Sequence, residues 1–126
     1  MNILGISGLY HDSAAALCCD GEIVAAVQEE RFTRKKADAA FPENAIQYCL
    51  SRLSGDDIID AVVYYDNPML TLDRWLHNCI QVSPDNSKII RKSFYEIFGN
   101  RLWVHEKIKN IMMEREGGAK ASAIRY

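Results

Sequence analysis

The stretch NILGISGLYHDSAAALCCDGEIVAAVQ, residues 2–28, decides how the rest of the chain is read. Asn2 to Ser7 is an apolar run closed by Gly8, which suits a buried first strand. Ser13 to Cys19 is a second run and Glu22 to Glu29 a third, with Ile23, Val24 and Val27 as β-branched members. Asp20-Gly21 stands between the second and third, a dipeptide made for a two-residue hairpin turn. These runs predict a three-stranded antiparallel meander.

Downstream, FPENAIQYCLSRLSG repeats apolar residues at helical spacing: Ala45, Ile46, Cys49, Leu50 and Leu53. Pro42 and Glu43 suit its first turn and Gly55 its stop. DAVVYYD then reads as a buried fourth strand ending at Asp66, with Asn67-Pro68 as the breaker. The helix is therefore a crossover. Beyond Pro68 the pattern is helical. One stripe (Leu72, Trp75, Leu76, Cys79, Ile80) ends at Ser83-Pro84, a second (Ile89, Ile90, Phe94, Ile97, Phe98) at Gly99-Asn100, and a third carries Leu102, Val104, Ile108, Ile111 and Met112. The expected organisation is an incomplete α/β domain over 1–114 and an irregular tail over 115–126. Helices without a following strand suggest a chain that stops early.

Composition sets bounds. With 126 residues the chain suits one domain, and its 48% apolar and 25% charged residues are those of an ordinary globular protein. A net charge of −2 gives no global attraction to nucleic acid or anionic membranes. No apolar run approaches the roughly 20 residues of a membrane span, and no signal peptide is recognisable. Cys18, Cys19, Cys49 and Cys79 form no CxxC and read as reduced, small apolar residues of a cytoplasmic protein.

His11 is the sharpest candidate for chemistry. It lies in the turn between the first two strands, beside Asp12, and a neutral imidazole can take a proton from a hydroxyl near neutral pH. The plainer alternative is a surface turn in which both side chains cap the backbone. Arg31, Arg34, Lys35 and Lys36 follow the third strand and are suited to holding a phosphate or carboxylate. A solvated loop, partly paired with Glu29 and Glu30, is the alternative. Glu29 and Glu30, as neighbours on a strand, point to opposite faces and do not act together. No metal site is assigned to any residue of the chain.

Taken in order, the glycine turn with His-Asp, the Asp-Gly hairpin, Glu-Glu-Arg-Phe, Arg-Lys-Lys and FPENAIQYCL resemble the amino-terminal signature of the O-carbamoyltransferase family of nodulation and antibiotic biosynthesis. The likeness runs from residue 2 to about 53 and more loosely through IDAVVYYDNP. It implies an actin-like ATPase (RNase H-like) fold. It also implies an enzyme that forms carbamoyl-adenylate from carbamoyl phosphate and ATP, then transfers the carbamoyl group to the hydroxyl of a small molecule. By that resemblance His11 matches the active-site histidine and Lys36 a lysine at the nucleotide and carbamoyl end. Arg34, Lys35 and Asp12 are expected nearby as binding residues. ATP and a divalent metal are implied as cofactors, although the family's paired-histidine ligands fall beyond this chain. Ala37 stands where a histidine is expected, and the tail from Arg115 no longer reads like the family. The alternative is a truncated, non-catalytic relic or interaction subunit of the same fold. A sugar-kinase fragment fits less well, because the first strand carries Gly5 and Ser7 where an acidic residue is usual. Self-association, or docking of a missing downstream polypeptide, is the expected partnership.

Overall fold

The computed structural model describes residues 1–54, 57–82, 87–114 and 124–125. The readings at Gly55, Ser83-Pro84 and, in the tail, 115–123 and 126 lie outside the described residues. The first three strands form as the runs predict: β1 (Asn2–Ser7), β2 (Ala14–Cys19) and β3 (Glu22–Gln28), each antiparallel to the next. Asp20 and Gly21 both take positive φ, 50° and 89°, the backbone that a tight hairpin demands and that Gly21 supplies without strain. A bulge between Leu17 and Cys18 shifts the β2–β3 register, so Leu17 faces Ala25 while Cys18 faces Ile23.

The charged run after β3 is not an extension of that strand. Glu30–Thr33 is a single helical turn, α1, and Arg34 closes it in the left-handed region at φ 59°. Helix α2 (Glu43–Leu50) then leads to β4 (Ala61–Tyr64), which lies parallel to β1 with Gly5 opposite Val63. Next come α3 (Pro68–Val82), α4 (Ser87–Gly99), a 3-10 turn at Arg101–Trp103, and α5 (Val104–Glu114). Asn67 does more than break the strand. Its Oδ1 accepts the Met69 and Leu70 amides at 3.0 and 3.3 Å, capping α3, with Pro68 in the first helical position.

The expectation of helices to the end is corrected by β5 (Ile124–Arg125), which pairs parallel with β4. Two residues are too few to show a period in the sequence, and only the partner strand reveals them. The sheet order is β3-β2-β1-β4-β5.

Alternation along the strands separates two faces. Leu4, Ile6, Ala15, Leu17, Val62 and Tyr64 are buried on one, under Ala45, Ile46, Cys49 and Leu50 of α2 and Val104, Ile108 and Met112 of α5. Connection handedness explains why the helices share that face. The β3–α2–β4 crossover and the connection from β4 to β5 both step the same way along the sheet. Right-handed crossovers stepping one way put their helices on one side.

Candidate functional site

The topology places three loops at one end of the sheet. Ser7 pairs with Ala14 and Ala14 with Gln28, while β4 runs parallel to β1. The turn at 8–13, the segment after β3 and the segment after β4 therefore emerge together, at the carboxyl ends of the parallel strands. That is where open α/β sheets bind ligands.

Two backbone bonds knit the first two loops. The Ser13 amide donates to the Asp38 carbonyl at 2.9 Å, and the Glu29 amide donates to the Ser13 carbonyl at 2.8 Å. Asp38 organises its own loop. Its carboxylate accepts from the Thr33 hydroxyl at 2.7 Å and the Ala40 amide at 3.0 Å, and these bonds, the hydroxyl first, hold its pKa below the usual aspartate value. Glu29 is buried, and its carboxylate accepts the Ala45 amide at 2.8 Å, the Asn44 amide at 3.3 Å and the Asn44 Nδ2 at 2.6 Å. It thus caps the start of α2. Glu30 accepts the Ala37 amide at 3.0 Å. The expected pairing of these two carboxylates with Arg31 or Arg34 is replaced by backbone capping. The α1 turn carries both acids away from strand geometry and towards unpaired amides.

Backbone strain concentrates here. Of five non-glycine residues with positive φ among the described residues, Leu9 and Asp12 flank Tyr10 and His11, and Arg34 and Ala37 flank Lys35 and Lys36. Such conformations cost about 1–3 kcal/mol each and persist where surrounding structure imposes them. His11 is exposed, and its Nδ1 lies 2.8 Å from Asp12 Oδ2. An ionised carboxylate only accepts, so in this pair Nδ1 carries the hydrogen, and in the neutral imidazole Nε2 then holds the lone pair. The Tyr10 ring lies 4.4 Å from the His11 ring, and the Arg101 guanidinium is 5.6 Å from the Tyr10 centroid. Arg34, Lys35 and Lys36 are all exposed.

The bond from Ser13 to Asp38 joins the His11 turn to the loop bearing Lys36. Neither side chain lines any of three hollows formed by neighbouring described residues. One of these, a crevice of about 420 Å³, was not legible in the sequence. Tyr10 of the first turn, Tyr65 and Asp66 after β4, Arg74 and Trp75 of α3, and Arg101 help line it. Asp66 accepts from the Thr71 hydroxyl at 2.8 and 3.0 Å and lies 3.9 Å from Arg74. Burial raises the Tyr65 and Tyr64 phenols above their usual pKa, and Tyr64 donates to the Gly8 carbonyl at 2.7 Å. Only the polar pair that follows β4, Tyr65-Asp66, hinted at this crevice from sequence.

Among the described residues no three His, Cys, Asp or Glu side chains gather as a metal site would require, so the residues present do not fit the implied metal. All four cysteines are free thiols, and burial raises the pKa of Cys49 and Cys19. Among the described residues no helix is long and apolar enough to cross a membrane.

A family model described as the carbamoyltransferase N-terminus matches residues 2–123. The chain belongs to that carbamoyltransferase family. The match carries the likeness well past Leu53 and into the tail, where the sequence had ceased to resemble the family. An uncharacterized protein of Synechocystis sp. is 48% identical over 109 residues, 85% of this chain and 17% of that relative. Nodulation protein NolNO of Sinorhizobium fredii is 46% identical over 57 residues, 44% of this chain and 8% of the relative. An uncharacterized protein of Methanocaldococcus jannaschii is 43% identical over 56 residues, 11% of its length. The chain thus spans less than a fifth of these relatives.

Proposed function

We propose that this chain is the amino-terminal portion of an ATP-dependent O-carbamoyltransferase, built on an actin-like (RNase H-like) sheet. The observation that carries the reading is the joining of the His11 turn to the Lys36 loop at the carboxyl end of β1, in a chain of this family. The sheet order β3-β2-β1-β4-β5, antiparallel on one side of β1 and parallel on the other, supports the fold assignment. The donor is carbamoyl-adenylate, made from carbamoyl phosphate and ATP, and the acceptor is a hydroxyl-bearing small molecule.

His11 Nε2 takes the proton of that hydroxyl as its oxygen forms a bond to the carbamoyl carbon. The bond from that carbon to the adenylate phosphate oxygen breaks, and AMP leaves. Asp12 orients the imidazole and stabilises the cation that forms. Lys36 stabilises negative charge on the carbamoyl oxygen or the departing phosphate, assisted by Arg34 and Lys35. A divalent metal enters by family resemblance alone, and no step here is routed through it. The cytoplasm, where ATP and carbamoyl phosphate are found, is the proposed location.

The test is a pair of half-reaction assays on a full-length enzyme carrying this segment. His11→Ala is expected to reduce carbamoyl transfer by about 10²–10⁴-fold, the usual contribution of a general base, while adenylate formation continues. Equal loss of both half-reactions would reject the base assignment.

A further inference from the structure

Two contacts restrain the His11 imidazole. Its Nδ1 meets Asp12 Oδ2 at 2.8 Å. Asp12 is the next residue of the same exposed turn, so this bond sets which nitrogen carries the hydrogen but lets imidazole and carboxylate swing together. The second contact is with the Tyr10 ring, 4.4 Å away between centroids and tilted by 46°. Tyr10 is 63% exposed, so burial does not account for an aromatic at this place. Two hollows, of about 420 and 350 Å³, lie against it and share Tyr10, Glu96 and Arg101 in their walls. What steadies the phenol ring is the Arg101 guanidinium, 5.6 Å from its centroid and within the reach of a cation–π attraction. Arg101 comes from an anchored element. It is half-buried and opens the 3-10 turn between α4 and α5. In that turn the Trp103 amide donates to the Asn100 carbonyl at 3.3 Å and the Trp103 indole to the Phe98 carbonyl at 2.7 Å, and Val104, which follows, lies fully buried in the core.

We propose, on the reading of His11 as the base, that Arg101 and Tyr10 are its positioning residues: the guanidinium holds the phenol ring, and the ring holds the imidazole where Nε2 reaches the acceptor hydroxyl. A base contributes only when its lone pair is aligned with the proton it takes, and a misplacement of about 1 Å costs roughly 10²-fold in rate. Asp12 moves with the turn and leaves that alignment loose. A ring packed against the imidazole, and itself tied to a turn rooted in the core, removes the freedom that remains. The contact uses the ring of Tyr10 and not its hydroxyl, so Tyr10→Phe keeps it. It uses the charge of Arg101, so Arg101→Lys keeps part of it, without the planar group that stacks on an aromatic ring.

The test has two arms. In the 126-residue chain labelled at histidine, the His11 ring resonances, assigned by their loss in His11→Ala, are expected to be displaced by the neighbouring ring current. Tyr10→Leu should abolish that displacement, Tyr10→Phe retain it and Arg101→Gln diminish it. In a full-length enzyme carrying this segment, supplied with carbamoyl phosphate, ATP and its hydroxyl acceptor, Arg101→Gln and Tyr10→Leu are each expected to lower kcat for transfer by roughly tenfold to a hundredfold with little change in acceptor KM. Arg101→Lys and Tyr10→Phe should recover much of that loss. Beside His11→Ala the Arg101→Gln effect should vanish, because no base is left to position. Continued adenylate formation shows that each variant is folded. A full Arg101→Gln loss persisting beside His11→Ala, a loss carried by KM alone, no loss at all, or His11 resonances indifferent to Arg101→Gln would each overturn the positioning role and leave the base assignment standing. Transfer undiminished by His11→Ala would remove the base assignment, and the positioning role with it.

Discussion

Single residues here are committed to holding two loops in place. Glu29 reads in the sequence as a strand residue beside Glu30, suited to pairing with Arg31 or Arg34, yet it is 2% exposed and spends both carboxylate oxygens on the start of α2. Replacing it with alanine removes the acceptor for three donors, and Glu29→Ala is expected to cost about 2–4 kcal/mol in urea unfolding, with Glu29→Gln recovering part of the loss. Asp38 gives a pH signature. Its carboxyl is held below the ordinary value by Thr33 and Ala40, so its contribution is present above the unfolded-state pKa. That contribution fades as pH falls from about 4 through the lower folded value. The stability difference between wild type and Asp38→Asn should therefore be full at neutral pH and shrink on acidification. A constant difference across that window would show that Asp38 does not titrate as argued.

At the scale of elements, the first turn depends on how closely β1 approaches the entrance of α2. A Cβ on Gly8 would sit 2.8 Å from Pro42 Cδ, in a ring with little freedom to yield. Gly8→Ala is expected to destabilise by about 1–3 kcal/mol, as overpacking does, and to loosen the loop whose carbonyl Tyr64 holds. Amide exchange of residues 8–13 would report it, and unchanged protection would contradict the close approach. The strands, hairpin and crossover helix were legible because each has a local cause: alternation, a dipeptide that tolerates positive φ, and a helical stripe. The α1 turn, with a single turn of chain, and β5, with two residues, have no such local signature.

Across the whole molecule, one apolar core unites elements distant in sequence. Val104, Ile108 and Met112 of α5 enter the same cluster as Leu4 of β1 and Ile46 of α2. Ile108, 1% exposed, is expected to cost about 2–5 kcal/mol on truncation to alanine, measured by denaturant unfolding. A cost near zero would mean that α5 does not anchor the later helices to the sheet. Trp75, Phe94 and Phe98 belong to the apolar stripes of the later helices. Part of that surface is consumed internally, with Phe94 and Phe98 stacked at 4.3 Å and Trp75 at 6.0 and 5.9 Å from them. Ile23 and Val63, on the sheet face away from α2, are also exposed, which no helical stripe announced.

The sequence alone determined the meander, the crossover, the family likeness and the identity of the candidate base, since each is written in neighbouring residues. Only the tertiary structure decided which loops meet, that Glu29 and Glu30 are caps, and that Tyr10 and Arg101 share a crevice. Those outcomes depend on the register of paired strands and the handedness of crossovers, which relate residues far apart in the chain and leave no local pattern to read.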